Sequence, residues 1–175
     1  MAFNPDLVPP RIGYYLSGFA DGEGSFNVCF RKRRDHHQPW KVSLCFNVSQ
    51  REKVILALFK KHLRCGTLRS RSDGIWYYEV NNLTAIVEHV IPFFRRFGFL
   101  SAKKKRDFSK FRQIAQLMLR GEHRTEEGIR KILSIRNRMN DGGAGRRKYT
   151  DEEILKELAP RRSSETTSQT LDVVE

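Results

Sequence analysis

Between Ser25 and Ser49 apolar residues recur at every second position. Phe26, Val28 and Phe30 alternate with Ser25, Asn27, Cys29, Arg31 and Arg33; Trp40, Val42, Leu44, Phe46 and Val48 then alternate with Lys41, Ser43, Cys45, Asn47 and Ser49. A period of two marks a strand buried on one face, so these runs predict a long hairpin closed by a loop around residues 34–39. On either side the period lengthens to that of a helix. Pro9 or Pro10 suits a first helical turn running to Asp21, where Gly22 and Gly24 stop it. Residues 51–64 read as a helix through Val54, Ile55, Leu58 and Phe59. Gly66 opens a shorter hairpin turning at Ser72-Asp73-Gly74, with Thr67, Arg69, Arg71, Ile75, Tyr77 and Glu79 on its outward side. Helices follow over residues 83–97, despite Pro92, and 103–120. The expected fold is α+β with the order αββαββα and an antiparallel sheet.

The first helix has two distinct faces. Ile12, Leu16 and Phe19 form a large one suited to the core. Gly13, Ser17 and Ala20 form a small one that would let another helix backbone approach closely, and they are the candidate dimer interface. Residues 1–9 read as a lead-in, 10–120 as the core and 121–159 as a helical extension. In that extension a helix over residues 125–139 is capped by Thr125, and a Gly- and Arg-rich loop precedes a short helix capped by Thr150. Residues 160–175, rich in Ser, Thr and acids, read as a disordered tail. No internal repeat is visible.

Charge narrows the function. The chain has 175 residues, with 33 Lys and Arg against 20 Asp and Glu, and three of those acids lie in the last 13 residues. The body is therefore more basic than its net charge of +13 implies. Such an excess points to a polyanion, and nucleic acid is the commonest. The longest apolar run, Val54 to Phe59, is far short of a membrane span. Cys29, Cys45 and Cys65 form no CxxC pair, which argues against a disulfide framework or a zinc ribbon. The expected setting is intracellular: bacterial or archaeal cytoplasm, or an organelle.

The outward strand faces carry candidate nucleic-acid contacts. Asn27, Arg31, Arg33, Lys41, Ser43, Asn47, Arg69 and Arg71, with Cys29, Cys45, Tyr77 and Glu79 between them, mix base-reading donors and acceptors with small residues. Arginine forks guanine and asparagine pairs with adenine in a major groove about 12 Å wide. A ten-residue strand spans ~33 Å, about ten base pairs.

At the base of the first helix stands Leu16-Ser17-Gly18-Phe19-Ala20-Asp21-Gly22-Glu23-Gly24. This segment, with the element order around it, resembles the LAGLIDADG homing endonucleases over roughly residues 10–120. The resemblance implies a site-specific nuclease that hydrolyses both strands of a long duplex site with Mg²⁺ or another divalent cation such as Mn²⁺. Glu23 matches the metal-ligating acid, and Asp21 matches a second acid better suited to the helix terminus than to the metal. Carboxylate and a backbone carbonyl such as that of Gly22 are hard donors appropriate to Mg²⁺. Gln50 matches a water-ordering polar residue, although its parity is core-facing. Lys103 matches the basic residue that stabilises charge at the phosphate, with Lys104 and Lys105 as close competitors. A single motif copy implies a homodimer on double-stranded DNA. The rival readings are a maturase-like protein bound to intron RNA and a DNA-binding regulator without cleavage.

Overall fold

The computed structural model describes residues 2–33, 39–143 and 147–158; the expected loop at residues 34–38 and the tail at 160–175 lie outside them. Strands β1 (Gly24–Lys32), β2 (Trp40–Gln50), β3 (Thr67–Ser70) and β4 (Trp76–Val80) form one antiparallel sheet in the order β1-β2-β4-β3. The helices are α1 (Pro10–Glu23), α2 (Lys53–Leu63), α3 (residues 83–97), α4 (Ala102–Leu119), α5 (Glu126–Arg136) and α6 (Asp151–Leu158). The αββαββα order is the expected one.

Register follows from the alternation. Phe26 lies opposite Phe46 and Phe46 opposite Val80, while Gly24, Val48 and Tyr78 make the neighbouring row. All the apolar positions thus reach one face, and the helices cover it. Phe26 is the hub: its ring meets Phe46, Phe94, Phe108 and Phe111 at centroid distances of 5.1, 5.7, 5.3 and 4.9 Å. Truncating such a side chain costs about 3–5 kcal/mol. Helix α3 tolerates Pro92 by widening. Leu83–Ala85 and Ile91–Phe97 are α-helical, and between them Ile86–Val90 forms a π turn, with the Ile91 N–H bonded to the Ile86 carbonyl. A π turn is a usual way for a helix to absorb a disrupted hydrogen-bond ladder.

The small face of α1 requires a correction. Gly13 lies beneath the Phe97 ring, so closely that an added Cβ would overlap it. The Ser17 hydroxyl donates to the Gly98 carbonyl, and Ala20 is fully buried. Gly13 and Ser17 are therefore small because α3 and the residue after it pack on them, Ala20 is buried beside the Gly24 junction, and the three form no free interface. The exposed stripe of α1 consists of Arg11, Tyr14, Tyr15, Gly18 and Gly22, with open space where a side chain at Gly18 or Gly22 would stand. No helix among the described residues is long and apolar enough to cross a membrane.

Candidate functional site

Helix α1 passes into β1 without a loop. Gly24 is the junction: its N–H donates to the Ala20 carbonyl, and an added Cβ would lie 2.6 Å from that oxygen. Only glycine allows this approach, and it fixes the two acids that precede it.

Asp21 turns toward the start of α4. Its carboxylate accepts from the Leu100 N–H at 3.0 Å, the Ser101 N–H at 2.9 Å and the Ser101 hydroxyl at 2.5 Å. Partial burial raises its pKa, but the Ser101 and Leu100 hydrogen bonds, with Lys104 nearby, outweigh this and hold it below the ordinary aspartate value. Asp21 is thus committed to joining α1 to α4. Glu23 differs: it is exposed, and its carboxylate makes no hydrogen bond or ion pair among the described residues. Gly22 is also exposed, and its carbonyl belongs to the last turn of α1, where intrahelical donors run out. The available donors are all oxygen, which fits a hard divalent cation. One carboxylate does not make a complete site. Among the described residues no three His, Cys, Asp or Glu side chains converge.

The three lysines at the head of α4 point in different directions. Lys103 is exposed and ion-paired with Asp141, which raises its pKa. Lys104 is half-buried and its ammonium donates to the Gly24 carbonyl, directly at the junction. Burial pulls its pKa down, opposed by the carboxylates of Asp107, Asp21 and Glu23. The lysine beside the acids is therefore Lys104; Lys103, the expected one, faces the C-terminal extension. A helical period would have separated them, because Lys104 shares a face with the buried Asp107, Phe108 and Phe111. Gln50 ends β2 two residues beyond Val48, the partner of Gly24, and so lies at the level of residue 22. It keeps its core-side parity, is half-buried, and its side-chain oxygen accepts from the Arg51 N–H at 2.8 Å.

The other face of the sheet is polar. Across it the register aligns Ser25 with Asn47 and Glu79, Asn27 with Cys45, Cys29 with Ser43, Arg31 with Lys41, and Ser49 with Tyr77 and Arg69. Arg33 follows β1, with its N–H bonded to the Pro39 carbonyl. Arg71 follows β3 and stacks 4.0 Å over Tyr77. Arg69 reaches Glu79 at 3.0 Å, and Asn81 donates to the same carboxylate. Cys45 forms part of the floor, where burial pushes its thiol up to about 12 and keeps it neutral. The predicted contact residues thus share one surface, continuous with the junction that holds Glu23.

A wall that the sequence reading left without a role flanks this surface. Arg136, Asn140, Arg147, Lys148 and Tyr149 stand opposite Asn27, Cys29, Cys45 and Asn47 across a cavity of about 570 Å³. The basic Gly-rich loop was the signal available for it.

Comparison with known proteins agrees with this geometry. The LAGLIDADG endonuclease family profile matches residues 16–115. The homing endonuclease I-ApeII of Aeropyrum pernix is 29% identical over 147 residues, covering 81% of this chain and 87% of its own. A probable intron-encoded endonuclease of Neurospora crassa is 29% identical over 132 residues, 73% of this chain but only 29% of its own length, so the chain spans less than a third of that relative. Among solved structures, the archaeal intron-encoded homing endonuclease I-Vdi141I complexed with DNA superposes with a TM-score of 0.74 at 27% identity, covering 85% of this chain and 94% of its own. I-TnaI, also a homing endonuclease, gives 0.69 at 31% identity over 90% and 97%. With its motif at the α1–β1 junction and its polar sheet beside it, the chain belongs to the LAGLIDADG endonuclease family.

Proposed function

We propose that this chain is a site-specific DNA endonuclease that works as a homodimer on a long duplex site. Each protomer reads one half-site with the polar sheet face and presents Glu23 to a scissile phosphate. The observation that carries this reading is the free Glu23 carboxylate at the edge of that face. Strand β2, 11 residues long, spans about 36 Å, enough for a half-site of roughly ten base pairs. The relatives I-ApeII, a homing endonuclease, and I-Vdi141I, a homing endonuclease complexed with DNA, favour duplex cleavage over intron-RNA assistance.

Glu23 and the Gly22 carbonyl would hold a divalent cation, Mg²⁺ in this reading, with further oxygen ligands from the DNA and from the second protomer. Once bound, such a cation supplies Lewis-acid stabilisation and lowers the pKa of water. Lys104, held at the Gly24 carbonyl, offers positive charge to the phosphate. Gln50 has an amide suited to orienting a water, and Asp21 keeps α4, and so Lys104, against α1. The dimer seam is the exposed stripe of α1, where Gly18 and Gly22, four residues apart, allow two helix backbones to meet.

Plasmids carrying a randomised site, selected for cutting, test the proposal. Wild-type protein with Mg²⁺ should linearise the selected plasmid. Glu23→Gln should lower cleavage by at least about a hundredfold while leaving the gel shift intact. Cleavage retained in Glu23→Gln would move the reacting site elsewhere.

A further inference from the structure

We infer that the C-terminal extension is a backbone clamp, holding one phosphodiester strand of the duplex against the polar sheet through Lys148 and the guanidinium groups beside it. This rests on the endonuclease reading and gives the described part of the extension, residues 121–143 and 147–158, a task within it.

The extension lies along the free edge of β1. The Asn140 side-chain amide donates to the Phe26 carbonyl at 2.8 Å, supplying a partner to an edge-strand group, while the Asn140 N–H donates to buried Asp107 at 3.1 Å. Tyr149 packs edge-on against Trp40, with centroids 4.8 Å apart, and Glu157 pairs with Lys32. These contacts fix a wall beside the reading face.

The charge on that wall exceeds what the fold needs. Asp151 accepts from Arg136 and from Asn137, each at 2.5 Å, and Arg147 bonds the Asn137 side chain and the Arg136 carbonyl. The Arg136 Nε–H is nonetheless buried without a partner, in a guanidinium that stacks 4.7 Å over Phe30. Lys148 is exposed and has no acid partner among the described residues. The cavity between wall and sheet is lined by these three cations and one acid, Glu79, which Arg69 already neutralises. A volume of about 570 Å³ is too narrow for a duplex and suits a single sugar-phosphate strand rising beside a major groove seated on the sheet.

Its place along the site follows from strand geometry. The lining residues Ser25, Asn27 and Cys29 lie two to six residues beyond Glu23, about 7–20 Å at 3.3 Å per residue. At 3.4 Å per nucleotide the clamped phosphates lie about two to six steps from the cut. Contacts of this kind add affinity without reading sequence.

The full-length chain in a Glu23→Gln background, which binds without cutting, gives the test. Affinity for the selected duplex is measured over a salt series, with and without Lys148→Ala, and phosphate ethylation interference is mapped. Lys148→Ala should make the log-affinity against log-salt slope shallower by about two for a homodimer, one phosphate per protomer. It should also erase interference two to six nucleotides from the cut. An unchanged slope and unchanged interference in Lys148→Ala, with the melting temperature preserved, would overturn the clamp and leave the endonuclease reading standing. A wild-type chain that binds no duplex would overturn both.

Discussion

Asp21 and Ser101 lie 80 positions apart and are joined twice, hydroxyl to carboxylate at 2.5 Å and amide to carboxylate at 2.9 Å. The link ties the end of the motif helix to the start of α4. It turns one acid of the motif into a structural part and leaves the exposed Glu23 carboxylate without a hydrogen bond among the described residues.

The link predicts a pH signature. Asp21 titrates below its ordinary value of 3.8, so the stability it confers is complete above that value and is lost as pH falls through the lower folded-state value. Asp21→Ala should cost about 1 kcal/mol at pH 7, the scale of a lost helix cap, kept small by solvent exposure. Urea denaturation from pH 7 to pH 3 should show the gap between wild type and Asp21→Ala closing toward the acid end. A constant gap would mean that the carboxylate charge is not what stabilises the junction.

The two lysines, one at the Gly24 carbonyl and one paired with Asp141, should separate by function. Lys104→Met should slow cleavage by about 10²–10³, as loss of a group aimed at developing charge does, with binding largely kept. Lys103→Ala removes only an exposed ion pair and should stay within about twofold. Because burial depresses Lys104, the alkaline fall in rate should begin below the ordinary lysine value of 10.5. Single-turnover rates between pH 7 and pH 10 measure this. Equal losses in the two variants would return the role to charge density at the helix start.

The element order and the inward parity of each strand are legible because alternation and helical period leave few other ways to bury Phe26, Phe46 and Phe111, whereas the β2–β4 pairing that sets the sheet order joins strands of different hairpins and has no local signal. Orientation about a helix axis was harder to read. Gly13, Ser17 and Ala20 do mark a close approach, but small residues do not say which helix approaches, and the partner is the Phe97 side of α3. Lys103 and Lys104 differ by one helical step, and the burial of Asp107 and Phe108 sets which of them faces the junction. The wall formed by Arg136, Asn140, Arg147, Lys148 and Tyr149 left no trace in any period, because its contacts to Phe26 and Trp40 cross more than a hundred residues.

Base reading should appear at the edge of the sheet. Arg69 and Arg71 project from the β3–β4 hairpin, the first held by Glu79 and the second stacked on Tyr77. Replacing either with alanine should cost about 1–3 kcal/mol on the preferred site and relax the preference at one position, read by a cleavage profile over all single-base variants. A uniform loss across all variants would assign the residue to the phosphate backbone.

The seam prediction follows from the stripe left uncovered on α1. A Cβ at Gly18 meets no other group of its own protomer within 4 Å, whereas one at Gly13 collides with Phe97. Gly18→Leu should therefore leave the protomer folded, gaining up to about 1 kcal/mol in helix propensity, while forcing two α1 helices apart. Gly13→Leu should instead unfold the protomer. Sedimentation of Gly18→Leu should show a monomer with an unchanged or raised melting temperature and weak cleavage. Two-fold symmetry about this stripe also brings both Glu23 carboxylates together, each acting on one strand. A tagged mixed dimer of wild-type and Glu23→Gln protomers should then convert supercoiled plasmid to open circles rather than linear product. A Gly18→Leu protein that sediments as the wild type does and still cuts both strands would remove the seam from this face of α1.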